Sequence, residues 1–289
     1  VLPGNVLQRR PFNISLGQPL ATQPVVRTAL MLLQVLTQHH AVEQPMIRTL
    51  LASPYWSSTD ESDARARLDC AMREGVAPKA PLSRYSDFAE YLYDKQSILA
   101  PATQGFLNRL GAATRNLGKQ RPPSEWRRVI QALLVNGGWL ANGHLRSDEF
   151  QAREAFGKEL GKLAQLDQVT GHISFSKAVS LLVQLCAERL FQPKTRGTPP
   201  IQVLGVLEAT GMRFDALWIM GLSDRAWPPP ANPNPLLPAE ALRAAGAPNA
   251  SASVQLDFAQ RIQTRLLESA RIVRISYPHT DNATEQQPS

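Results

Sequence analysis

Apolar residues in the stretch QPLATQPVVRTALMLLQVLTQHH fall at Val25, Val26, Leu30, Leu33 and Leu36, the three- and four-residue spacing of one face of a helix. Thr22 is placed to cap that helix, and Pro24 suits its first turn. Just upstream, Phe12 and Ile14 alternate with polar residues and predict a short strand ending at Gly17. The chain is expected to begin as strand and helix.

Further along, helical spacing takes over. Segments near 45–53, 60–74, 84–95, 102–117, 124–135, 147–165 and 174–190 read as helices, and the breaks GVAPKAP, GKQRPPS and VNGGWLANGH each contain Gly or Pro. After FQPKTRGTPP, strand patterns return in IQVLG and ALWIMGL, followed by an irregular SDRAWPPPANPNPLLP, a helix over 252–268 and the strand RIVRISYP. Apolar strands that alternate with helices predict a parallel sheet covered on both faces. The simplest architecture joins 1–45 and 200–289 in one α/β domain and inserts an all-helical block over 46–199, so the chain is mostly helical overall.

With 289 residues, 43 % of them apolar, the chain is long enough for two cores. Lys and Arg number 31 against 24 Asp and Glu, a formal charge of +7 that favours anionic partners, nucleic acid among them. Only Cys70 and Cys186 are present, far apart, which supports neither a disulfide framework nor a zinc or iron–sulfur site and points to a reducing, cytoplasmic setting. No apolar run approaches the ~20 residues that span a bilayer, so no membrane partner is expected. The opening Val1 and the polar TDNATEQQPS read as the ends of a piece of a longer polypeptide.

Catalytic signatures are missing from the sequence. It contains no G-x-x-x-x-G-K-[ST] phosphate cradle, no H-E-x-x-H and no G-x-S-x-G, and its histidines at 39, 40, 144, 172 and 279 lack ligand spacing. No catalytic residue, metal ligand or cofactor is assigned. His39 and His40 read as the cationic end of a helix, and Asp60, Glu61 and Asp63 as the acidic start of one. Neither strand after residue 200 offers the clustered carboxylates of a metal-dependent nuclease.

The most basic stretch is NRLGAATRNLGKQRPPSEWRR, in which Arg109, Arg115, Lys119, Arg121, Arg127 and Arg128 face one acid, Glu125. It reads either as a surface that tracks a phosphate backbone with Trp126 stacking a base, or as a solvated loop with Trp126 in the core. Lys194 and Arg196 add a smaller basic group in the linker. Arg213 and Arg225 bracket the second strand and are candidates to face one groove beyond the carboxyl ends of the strands. Trp218 and Trp227 are expected to pack rather than bind.

The segment from Gly205 to Asp215, with the strand ALWIMGL, the turn SDRA and Trp227-Pro228 after it, resembles motif V of the UvrD-type superfamily 1 helicases. That pattern runs roughly T-[IL]-H-x-x-K-G-L-E-F-D. Gly211, Phe214 and Asp215 match it, whereas Gly205, Leu207, Thr210 and Arg213 stand where the family has Thr, His, Lys and Glu, the residues it turns toward DNA and nucleotide. Gly211 is expected to permit a tight turn and Asp215 to tie down the loop before the strand. FNISLGQPLATQPVVRTALMLLQVL resembles the motif IV strand and helix, with Gln23 at or near the phosphate-binding Arg. QRIQTRLLESARIVRISYP resembles motif VI, with Glu268 at or near the Arg finger; a slip of a residue or two would put Arg265 or Arg271 there instead.

A helicase-like frame with these substitutions resembles the AddB-type subunits of AddAB helicase-nucleases, and more closely a bacterial family of AddB-like DNA repair proteins. The resemblance is most specific over 11–53 and 191–289, including SPYW, FQPK, NPLLP and SYP. It implies a RecA-like 2A domain interrupted by a 2B-like helical insertion, without the preceding RecA-like domain or the following nuclease of the PD-(D/E)XK type. The implied role is an ATPase-inactive, DNA-binding scaffold in double-strand break repair, partnered by DNA and by an AddA-like helicase subunit or further domains of its own chain. The parent protein resembles a helicase and exonuclease; this part is not expected to be an enzyme by itself. The rival reading is a protein-interaction module that docks a partner subunit and touches no DNA.

Overall fold

The computed structural model describes residues 12–96, 100–141, 143–194, 199–282 and 284–289. Two compact units emerge, one over Gly17–Thr198 and the other joining the chain before it to the chain after it. The protein is mostly helical, 55 % helix against 14 % strand, with small sheets of few strands, a mixed α/β composition. No helix among the described residues is long and apolar enough to cross a membrane.

The chain opens with β1 (Phe12–Ile14), which belongs to the second unit. The helical unit then runs β2 (Gln18–Pro19), α1 (Pro24–Thr37), β3 (Val42–Glu43), α2 (Gln44–Ala52), α3 (Ser62–Gly75), β4 (Lys79–Ala80), α4 (Leu82–Gln96), α5 (Pro101–Ala113), α6 (Pro123–Asn136), α7 (Ser147–Ala164), α8 (Asp167–Thr170), α9 (Phe175–Glu188) and β5 (Leu190–Phe191). The sheet unit continues with β6 (Ile201–Val203), α10 (Val206–Ala209), β7 (Phe214–Met220), α11 (Ala239–Ala244), α12 (Ala252–Leu267), β8 (Ala270–Ser276), β9 (Thr280–Asp281) and β10 (Thr284–Glu285).

The unit boundary falls earlier than composition alone suggests, because α1 belongs to the helical unit. Val25, Val26, Ala29, Leu30, Leu32, Leu33, Val35 and Leu36 are all buried, and α1 packs against α2, α6, α7 and α9. A helix apolar on so much of its surface is stable only when surrounded, which the outer layer of a sheet domain cannot provide. β2 pairs antiparallel with β5 and so closes the helical unit on itself. Thr22 does not cap α1: its hydroxyl donates to the Pro19 carbonyl at 2.8 Å. Gln23 is the N-cap residue without a side-chain bond, and Pro24 occupies the first turn as expected.

Two large buried polar side chains of the helical unit are held by backbone carbonyls. The Trp56 indole donates to the Gly137 carbonyl at 2.6 Å. Arg65, buried, donates to the carbonyls of Ser53 at 2.8 Å and Trp56 at 2.6 Å, and desolvation lowers its pKa. Asp63 lies in the first turn of α3, but Glu61 serves a different helix: its carboxylate accepts from the backbone N–H groups of Ala102 and Thr103 at the start of α5. His39 stands past the end of α1, its Nδ1 2.9 Å from the Leu36 carbonyl.

In the sheet unit β1 pairs parallel with β6, and β7 pairs parallel with β8, in register from Phe214 opposite Ala270 to Met220 opposite Ser276. α11 and α12 form the crossover between β7 and β8. The expectation of a sheet covered on both faces is not met within this unit. Ile219 packs with Ile262 and Leu266 of α12 and with Ala209 of α10, whereas the opposite face carries Trp218, Met220 and Ile272, which are 63 %, 68 % and 58 % exposed. A two-stranded sheet with one helix layer has apolar residues left over on the other side.

Candidate nucleic-acid interface

Within α6 the buried positions Trp126, Ile130, Leu133 and Leu134 recur at helical spacing and fix which side faces the core. Arg127 and Arg128, adjacent to Trp126 in sequence, are thereby turned to solvent. Trp126 has 0 % exposure and packs on Phe175 with ring centroids 5.3 Å apart, and its indole N–H donates to the Ile173 carbonyl at 2.7 Å. Of the two readings of this stretch, the structure places Trp126 in the core. It stacks no base in this conformation.

Around the α5–α6 connection Arg115, Lys119, Arg127 and Arg128 are exposed. Arg115 donates to the Ala112 carbonyl at 3.4 Å. The neighbouring acids are engaged elsewhere: Glu125 lies 3.8 Å from Arg121, and Asp167 accepts from the Ser124 backbone N–H at 2.8 Å. Arg121 is also held in place. Its backbone exchanges hydrogen bonds with Ile173 at 3.0 and 2.9 Å, and its guanidinium lies 5.4 Å from the Trp126 ring centroid. Arg121 therefore contributes a partly buried, paired cation, in contrast to the four exposed ones, which have no acidic partner among the described residues.

The remaining basic residues do not join this surface. Arg109 donates to the Asn136 carbonyl at 2.9 Å, at the C-terminal end of α6, about 12–14 Å along the helix axis from Arg127 and Arg128 at 1.5 Å per residue. Lys194 bonds through its backbone N–H to Gln151 near the start of α7, while the α6 N-terminus meets Asp167 beyond the end of that helix. The part of α7 from Gln151 to its end at Ala164, about 20 Å long, thus separates the two. Arg196 lies outside the described residues. Arg213 immediately precedes β7, a strand of seven residues and about 23 Å, and Arg225 lies in the turn five residues beyond its other end.

The motif V-like residues have roles different from those expected. Gly211 does not adopt a left-handed backbone, and a Cβ there would meet nothing within 4 Å, so its turn is open to other residues; Gly221, just after β7, has a positive φ of +80°. Phe214 is half-buried against the small core. Asp215 is exposed on β7 and makes no tie to the loop among the described residues. Trp218 is exposed rather than packed, with its indole donating to the Ser276 hydroxyl at 2.9 Å, while Trp227 packs against the core and precedes a cis proline, Pro228. Glu268 is the C-cap residue of α12, and Arg265 and Arg271 are exposed.

Three arginines pass unnoticed in the sequence. Arg27, Arg48 and Arg73 lie on three different helices and come together only in the fold, around one groove. Among the described residues no group of three or more His, Cys, Asp or Glu gathers as a metal site. Compared with known proteins, the chain matches no family model and no curated protein.

Proposed function

We propose that this chain is a helicase-like, non-hydrolysing DNA scaffold: the RecA-like 2A part and 2B-like helical insertion of an AddB-like helicase-nuclease acting in double-strand break repair, beside an AddA-like subunit. The observation that carries this reading is the group of four exposed cations, Arg115, Lys119, Arg127 and Arg128, around the α5–α6 connection, without an acidic partner among the described residues. Such a surface binds backbone phosphates without reading sequence. The positions where the resembling helicases hold Thr, His, Lys and Glu carry Gly205, Leu207, Thr210 and Arg213, which supports the loss of nucleotide hydrolysis.

Fluorescence anisotropy of labelled single-stranded and duplex DNA across a salt series tests the reading. Binding is expected to weaken linearly in log salt, and reversing all four cations to Glu should flatten the duplex slope by about 0.9 for each phosphate that is no longer neutralised. No binding at low salt, or a clear ATPase rate from this chain, would overturn it.

The open face of β7 and β8 favours a second reading, a module that docks a protein partner without contacting DNA. Self-association combined with no DNA binding at low salt would select it.

A further inference from the structure

The groove shared by the three overlooked arginines has a volume of about 540 Å³ and opens entirely within the helical unit. Arg27 and Met31 of α1, Arg48 of α2, Tyr55, and Asp69 and Arg73 of α3 line it. Asp69 accepts from Arg48 Nε at 2.9 Å and from Arg73 as well, so one carboxylate is shared by two guanidiniums. Arg27 is exposed and has no acidic partner among the described residues. Glu149, which accepts from the Tyr55 hydroxyl at 2.8 Å, is also engaged by Arg146 at 3.1 Å. Three guanidiniums thus meet one carboxylate around the groove. With no acid in its first turn, α1 adds the positive end of its dipole close to Arg27, a repulsive arrangement that an anion would reverse.

The walls are rigid and partly apolar. The hydroxyls of Thr28 and Ser53 bond each other at 2.8 Å, and Arg65 holds the Ser53 carbonyl from behind. Tyr55 is fixed at three points: its N–H bonds to the Ser53 hydroxyl at 3.2 Å, its carbonyl accepts from Leu140 at 2.9 Å, and its own hydroxyl donates to Glu149. Its ring therefore stands as a preformed face beside Met31. A volume of this size falls in the range of small-molecule sites, and preformed walls lower the entropic cost of binding.

We propose that this groove binds a nucleoside monophosphate, with its phosphate among Arg27, Arg48 and Arg73 and its base against Tyr55 and Met31. A phosphate dianion matches the excess of two positive charges, and arginine forks suit its oxygens. The same chemistry is offered by a free nucleotide and by the 5′-phosphorylated end of a strand. The site is separate from the cation surface of the proposed scaffold: the Trp139 indole donates to the Val25 carbonyl at 3.0 Å, which places the groove beside the opposite end of α6. The inference does not depend on the scaffold reading.

The experiment titrates dAMP, deoxyadenosine and inorganic phosphate into the full chain by calorimetry, with broadening of the dAMP ³¹P resonance as a second readout that needs no variant. Saturable dAMP binding is expected, at least tenfold tighter than deoxyadenosine. It should weaken at least tenfold in Arg27→Gln/Arg73→Gln, whose exposed side chains leave the fold intact by circular dichroism, and stay unchanged when Arg115, Lys119, Arg127 and Arg128 are all reversed to Glu. In that charge-reversed background, displacement of labelled dAMP by a 5′-phosphorylated trinucleotide but not by its 5′-hydroxyl form assigns the ligand to a strand end; displacement by neither assigns it to the free nucleotide. Absence of dAMP binding, equal binding of deoxyadenosine, or undiminished binding by the double variant overturns the proposal.

Discussion

Trp126→Ala separates a core tryptophan from a base-stacking one. The side chain has 0 % exposure, packs on Phe175 and donates to the Ile173 carbonyl. That carbonyl also accepts from the Arg121 backbone N–H at 3.0 Å, so losing the indole does not orphan it. The cost is therefore dominated by lost burial and the cavity left behind, about 3–5 kcal/mol for a buried Trp→Ala change. With a urea dependence of about 2 kcal/mol per M, the unfolding midpoint of the helical unit should fall by about 2 M. Far-UV circular dichroism is the suitable probe, because most helices lie in that unit, whereas tryptophans occur in both. Below the transition, DNA affinity of the variant should equal that of the parent. An unchanged midpoint together with a loss of DNA affinity on the order of 1–3 kcal/mol, the value of one base–aromatic stack, would refute the reasoning and show that Trp126 leaves the core to bind.

Other consequences are as direct. Cys70 is exposed and Cys186 buried, with burial and then Glu159 pushing the Cys186 thiol up to about 12. A thiol reagent at pH 8 should therefore modify one cysteine in the native protein, the one removed by Cys70→Ser, and both only after unfolding; two fast thiols in the native state would contradict the buried placement. Burial, with Glu149 close behind, raises the Tyr55 phenol from 10.0 to about 12. The folded state thus retains the phenol proton more tightly than the unfolded state. The stability this gives is complete below pH 10 and is lost as pH rises toward 12. Urea midpoints measured from pH 9 to 12 should fall less steeply in Tyr55→Phe than in the parent, and identical slopes would rule the linkage out.

The helical segments could be read from sequence because each carries its signals locally. Apolar spacing with Pro or Gly punctuation brings the expected helices near 124–135, 147–165 and 252–268 within a residue or two of α6, α7 and α12. The strand patterns in ALWIMGL and RIVRISYP likewise became β7 and β8, since alternation and β-branched residues suit a sheet wherever it sits. Local pattern says what an element is and gives only partial information about its neighbours. Residues 24–37 show this: a strand-then-helix order suggested membership in the sheet domain, yet the apolar surface of α1 is wide enough to require burial on several sides, and the helical unit supplies it.

The basic residues divide along the same line. That 109–128 is cation-rich belongs to the sequence; which cations are left exposed is a tertiary matter. Helical phase turns Arg127 and Arg128 outward because Trp126 turns inward, while Arg121 is taken by Glu125 and the Trp126 ring. Arg213 and Arg225 look like neighbours in a motif but are separated by the strand between them. Arg27, Arg48 and Arg73 carry no sequence signal as a group, since charges on three helices meet only once those helices pack. The amino-acid sequence alone determined the elements, the positive balance and the missing phosphate cradle, each set by neighbours along the chain. The tertiary structure decided which charges meet, which tryptophan is buried and which sheet face stays open, because those depend on packing between residues distant in sequence.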